Sequence, residues 1–114
     1  MDRISQTRGD TRGYYFKRID AEGQTIMTTP DSLFFTVKAS FNAQPFVFQK
    51  TLEDMTFDEN GVYHFTIEPE DTETLSYGTY AWDIQVTQDG VVTTIAKGYL
   101  ELTHEATWAS NEGE

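Results

Sequence analysis

The residues of this chain best suited to chemistry are two runs of carboxylates. Glu53, Asp54, Asp58 and Glu59 form the first, and Glu68, Glu70, Asp71 and Glu73 the second. Calcium takes several oxygen ligands converging on one point, and loops can supply them. Neither run has the spacing of an EF-hand loop. Solvated turns, together with a helix N-terminus that favours acidic side chains, account for both runs without a metal. His64 and His104 are the two histidines, and the chain has no cysteine, so the donors for a transition metal are poor. The sequence has no G-x-S-x-G elbow and no glycine-rich phosphate loop. The reading therefore contains no catalytic residue, no metal and no cofactor.

Arg8-Gly9-Asp10 has the form of an integrin-binding triplet, but Gly-Asp is also what a bend before a first core strand requires. The bend is the preferred reading. More telling is the aromatic surplus of 8 Phe, 6 Tyr and 2 Trp. Strand alternation sets Tyr15, Phe34, Val47 and Tyr99 on the faces opposite the core-facing side chains. Outward aromatics suit either a protein–protein interface or a platform for stacking sugar rings. Phenylalanine outnumbers tyrosine and tryptophan among the three types taken singly, which favours protein contact. The plainer alternative is that they pack under loops or stand exposed one at a time. Trp108, set among small and acidic residues, suits a pocket on its own domain or on a neighbour, and the neighbour is preferred.

The elements that must position these residues are short strands. Arg12–Ile19 places Tyr14 and Phe16 on one side and Tyr15, Lys17 and Ile19 on the other, and Asp20–Gly23 turns the chain. Ser32–Ala39 presents Leu33, Phe35 and Val37 inward. Phe46–Lys50, after Pro45, is expected on an edge, because proline cannot donate to a ladder. Met55–Asp58 and Val62–Ile67 form a hairpin at Asn60-Gly61, with Tyr63, Phe65 and Ile67 inward. A short acidic turn from Pro69 leads through Leu75 and Gly78 into a strand whose Tyr80, Trp82, Ile84 and Val86 share one face. Asp89-Gly90 then turns the chain into Val91–Thr103, where Lys97-Gly98 suggests a bulge. The expected architecture is an all-β, antiparallel sandwich of seven or eight strands, one domain over 1–114, with an N-terminal arm (1–7) and an acidic C-terminal tail (105–114).

The charge excludes some partners. Eight basic against 19 acidic residues give a net −11, a field that repels phosphate backbones and anionic membranes. The first residues lack the apolar stretch of a signal peptide, and no run is long enough to cross a bilayer. Synthesis in the cytoplasm is the expectation.

A leucine, a close approach and a tyrosine opening an alternating strand (Leu75, Gly78, Tyr80, with Trp82 following) resemble the E–F corner of immunoglobulin-like sandwiches. Further stretches extend the likeness: Arg8–Thr11 ahead of an aromatic strand, Phe34–Lys38, Phe48–Thr51, Ile67–Thr72, Tyr77–Gln85, Gly98–Leu102 and Glu105–Thr107. Together they resemble small immunoglobulin-like proteins of tailed bacteriophages and prophages, similar to the N-terminal domain of phage baseplate upper proteins. The resemblance implies a virion structural protein without catalytic residues, on a capsid, neck, tail or baseplate. Its implied partners are other phage structural proteins or a second copy of itself, with no nucleic acid and no membrane. The alternative is a carbohydrate-binding module for host-surface glycans.

Overall fold

A computed structural model describes residues 2–104 of the chain. Eight strands make two sheets: β1 (Asp2–Thr7), β2 (Arg12–Lys17), β3 (Ser32–Lys38), β4 (Phe48–Thr51), β5 (Thr56–Phe57), β6 (Val62–Ile67), β7 (Gly78–Gln88) and β8 (Val91–Thr103). One helical turn, α1 (Pro69–Thr72), joins β6 to β7. The larger sheet has the order β1-β8-β7-β3-β4 and the smaller β2-β6-β5. The chain crosses between the layers after β1, β2, β4 and β6, while β3–β4, β5–β6 and β7–β8 are neighbours within one sheet, and the result is the expected all-β sandwich.

The alternating pattern places the core as read. Leu33, Phe35 and Val37 from β3, Tyr63, Phe65 and Ile67 from β6, and Trp82, Ile84 and Val86 from β7 are buried together with Leu100 of β8. Rings pack across the layers, as Phe35 does on Phe65, and within each sheet. Phe35 lies 4.7 Å from Phe65 and 5.7 Å from Trp82, while Phe16 stacks on Tyr63 at 5.0 Å. Such pairs add roughly 0.5–1.5 kcal/mol each beyond the area they remove from water. The Trp82 indole nitrogen donates to the Tyr99 carbonyl at 3.2 Å, so its polar atom is satisfied in the interior.

Four details differ from the sequence reading. Residues 2–7, expected as an arm, pair in parallel with β8 from Asp2↔Gly98 to Thr7↔Thr103, so the sandwich is not wholly antiparallel. The irregularity in β8 sits at Ile95, between the pairs Ile84↔Ala96 and Gln85↔Thr94, and not at Lys97-Gly98. Gly98 instead pairs regularly, across from Trp82. The β5–β6 turn spans Asp58–Gly61 with positive φ at Gly61 alone, a wider turn than a two-residue hairpin. By contrast, Asp89 (φ 53°) and Gly90 (φ 80°) are both left-handed, the two-residue form expected there. Finally, β4 begins at Phe48 and does lie at a sheet edge.

Candidate functional site

The carboxylate runs close turns. Asp54 accepts from the Thr51 backbone N–H at 2.8 Å, and Asp71 accepts from that of Glu68 at 2.7 Å. Asp71 also holds Lys50 of β4 at 2.6 Å, tying the sheet edge to α1. Asp58 takes the N–H groups of Asn60 and Val62 on one oxygen and His64 Nε2 on the other at 2.9 Å. The hydrogen bond from His64, then that from Val62, holds the Asp58 carboxyl below its ordinary range. Among the described residues no three His, Cys, Asp or Glu side chains gather as a metal set. His104 lies with its ring centre 3.8 Å from that of Tyr77.

The Arg8-Gly9-Asp10 triplet is built into the fold. Gly9 (φ 85°) turns β1 toward β2, and its N–H donates to Thr72 Oγ1 at 3.0 Å. Arg8 donates to the Leu75 carbonyl at 3.2 Å and lies 4.3 Å from the Tyr77 ring centre. These bonds anchor the corner, which is completed by Tyr80, whose hydroxyl donates back to the Ser76 carbonyl at 2.7 Å. That back-bond is the feature the leucine–glycine–tyrosine spacing points to, and Gly78 supplies it with φ 142°.

The outward residues do not form one patch. Tyr15 is 76% exposed on the small sheet beside His64. Phe34 is half-buried on the outer face of the large sheet, in register with Thr51 and Gln85. Tyr99 lies on that same outer face, in register with Ala81 and Arg3. Val47 turns to the core instead, because it precedes β4 and its N–H donates to the Val37 carbonyl at 2.7 Å. Trp108 lies outside the described residues. The sequence reading missed Phe41, which meets Tyr99 edge to face at 5.4 Å. Arg3 lies 5.8 Å from the Tyr99 ring centre, and Lys97 lies 5.8 Å from that of Phe41. The result is a two-ring cluster bracketed by cations. Nothing in the alternation signals it, because Phe41 lies in the loop after β3.

A second surface opens along one side of the sandwich. Among the described residues, β2 pairs with β6 and with no other strand, and β8 pairs with β1 only from Gly98 onward. The gap between these two edges is lined by Ile4, Tyr14, Phe16, Trp82, Ile84 and Ala96 around a cavity of about 190 Å³. Phe16, Ile84 and Ala96 also wall a neighbouring cavity of about 420 Å³, which extends to Ile19, Val91 and Ile95. Those three aliphatic side chains are 40–63% exposed. Tyr14 donates from its hydroxyl to Gln6 Oε1 at 2.8 Å, and burial pushes its phenol above the ordinary value despite Arg12 nearby. No protein-family profile matches the chain, and no curated protein sequence matches it either.

Proposed function

We propose that this protein is a non-enzymatic structural subunit of a tailed-phage particle, an immunoglobulin-like block that acts through protein–protein contacts. The observation that carries the reading is the use of its side chains. Asp54, Asp58, Asp71 and His64 close or brace turns, whereas aromatic and aliphatic groups stand at the surface. The outer face of the large sheet offers Phe41 and Tyr99 between Arg3 and Lys97, a composition of aromatic and cationic groups suited to interface anchors. Copies arrayed on a particle bind weakly one by one and strongly together. The acidic surface keeps single subunits soluble and disfavours wrong contacts. Edge-to-face rings at 64° make no flat platform, which weighs against sugar stacking on this face.

Mass spectrometry of purified particles, with amine cross-linking, tests the reading. Lys38 and Lys97 share the outer face of the large sheet and report on it directly. The expected result is a fixed copy number per particle and cross-links from these lysines to a capsid, neck, tail or baseplate protein. Abundance in infected cells with absence from particles overturns the proposal, and glycan binding becomes the next question.

A further inference from the structure

Sheet edges that meet solvent are normally guarded by charge, brevity or distortion, because their unpaired N–H and C=O groups invite another strand. The four outermost strands here are guarded. β1 carries Asp2 and Arg3, β2 carries Arg12 and Lys17, β4 is four residues long with Lys50 in it, and β5 is two residues long. β8 leaves a fifth edge. β1 covers it only from Gly98 onward, so among the described residues Val91 to Lys97 has β7 on one side and no strand on the other. The run Val91-Val-Thr-Thr-Ile-Ala96 holds no charge, proline or glycine, and its first five residues are β-branched and exposed. Side chains of that kind favour strand pairing. Its one distortion is the bulge at Ile95, and Val91 to Thr94 keep a regular ladder with β7 ahead of it.

The two faces of this edge point to the occupant. Val91, Thr93 and Ile95 lie on the inner side, where they line the cavity of about 420 Å³ with Ile19 and Ile26. Val92 and Thr94 lie on the outer side, in register with Thr87 and Gln85. Two copies joined edge to edge by a two-fold axis run antiparallel, and residues directly opposed in such a pair share one face. The axis must then pass through a residue and not between two. Placed at Thr93, it opposes Val91 to Ile95 and Val92 to Thr94 in both directions, so no like charges meet where the strands join. The Val91–Ile95 pairs then extend over the cavity beside Ile19, which is 50% exposed in the single chain. The same register carries the exposed Lys97 of each copy toward the exposed Asp89 at the hairpin tip of the other. Charge is thus complementary at both ends of the contact, although each chain carries −11.

We propose that the uncovered half of β8 is a homodimer interface, at which two copies pair antiparallel about Thr93 and fuse their large sheets into one. This contact uses a sheet edge and is independent of incorporation into a particle.

Sedimentation equilibrium of the full chain over a range of concentrations is expected to show a reversible rise from the monomer mass toward twice that mass. Thr93→Lys sets two ammonium groups face to face on the axis and should weaken association by at least roughly tenfold. The unfolding midpoint of the dilute monomer should not change, because the site is exposed. The chain has no cysteine, so Thr93→Cys gives a second readout. Directly opposed Cα atoms lie about 4.5–5.5 Å apart, within disulfide range, and mild oxidation should yield a covalent dimer. Gln88→Cys, exposed but five residues from the axis and so roughly 33 Å from its mate, should stay monomeric. Association that survives Thr93→Lys, or a Thr93→Cys dimer that forms no faster than that of Gln88→Cys, overturns the proposal. A single mass at every concentration also overturns it and leaves the edge to a strand of an unlike protein. Each of these failures leaves particle incorporation untouched, and absence from particles leaves the dimer untouched.

Discussion

Single atoms set the corner and the turns. The Tyr80 hydroxyl donates to the Ser76 carbonyl at 2.7 Å, so Tyr80→Phe removes one hydrogen bond and leaves the ring in place. The expected loss is about 1 kcal/mol, read as a lower urea midpoint at unchanged slope. Gly61 is constrained twice. Its φ is +80°, and an added Cβ would lie 2.7 Å from Thr25 Cγ2 and 2.8 Å from Met27 Sδ. Gly61→Ala is therefore expected to lower stability by at least the left-handed penalty of roughly 1–2 kcal/mol. An unchanged midpoint would mean that the Thr25–Met27 segment gives way at no cost. Asp58 carries a pH signature. Its folded carboxyl is depressed chiefly by the bond from His64, so the unfolded chain binds the proton more readily. The stabilisation is then complete above the ordinary aspartate value of about 3.9 and is lost as pH falls through the lower folded value. Asp58→Asn should flatten this acid limb of the pH–stability curve. An acid limb identical to that of wild type sinks the assignment.

At the scale of elements, the strands with apolar alternation were legible and the ones without it were not. Leu33-Phe-Phe-Thr-Val37, Tyr63-His-Phe-Thr-Ile67 and Trp82-Asp-Ile-Gln-Val86 each place their odd or even members in the core as period two requires. β1 was missed because Asp-Arg-Ile-Ser-Gln-Thr has Ile4 as its one apolar residue. Its second inward position is Gln6, buried and satisfied by the Tyr14 hydroxyl and the Asp10 carbonyl, and a buried glutamine looks polar in any pattern. The β8 bulge was misplaced for a related reason. A glycine signals a bulge, but Ile95 is the inserted residue and Gly98 holds its register opposite Trp82. Of the candidate contact residues, the outward faces of Tyr15, Phe34 and Tyr99 followed from alternation, while Phe41 and the open cleft depend on loop path and missing neighbours that one strand cannot reveal. The β7–β8 hairpin rests on one further tie, the Asp89 N–H donating to Asp31 Oδ2 at 2.9 Å across to the start of β3. Asp31→Ala should loosen that tip locally. Amide exchange should quicken between Gln88 and Thr93 while the β7 core from Trp82 to Val86 keeps its protection. Uniform acceleration over both segments would show that the tie stabilises the whole sheet instead.

Across the whole molecule, the charges oppose the fold in sum and support it in detail. The net −11 is a self-repulsion that salt screens, so stability should rise as ionic strength increases from about 10 mM to 150 mM. The cations are unevenly placed, with Arg3, Arg8, Arg12, Lys17 and Arg18 supplying five of the eight. They do not share one face: Arg3 lies over Tyr99 on the outer face of the large sheet, Arg8 over Tyr77 at the corner, and Arg12 over Tyr14 at the open side. The unfolding temperature should increase by several degrees over that range. Ion pairs such as Lys50–Asp71 work against this effect, because screening removes their attraction as well as the repulsion. That pair is largely shielded by its surroundings, with 14% and 17% of the two side chains exposed, so salt reaches it less than it reaches the exposed carboxylates. A thermal midpoint that falls with added salt would therefore place the stabilising electrostatics in local pairs and take away the argument from net charge. A midpoint that rises instead shows that the self-repulsion of the whole surface outweighs those pairs.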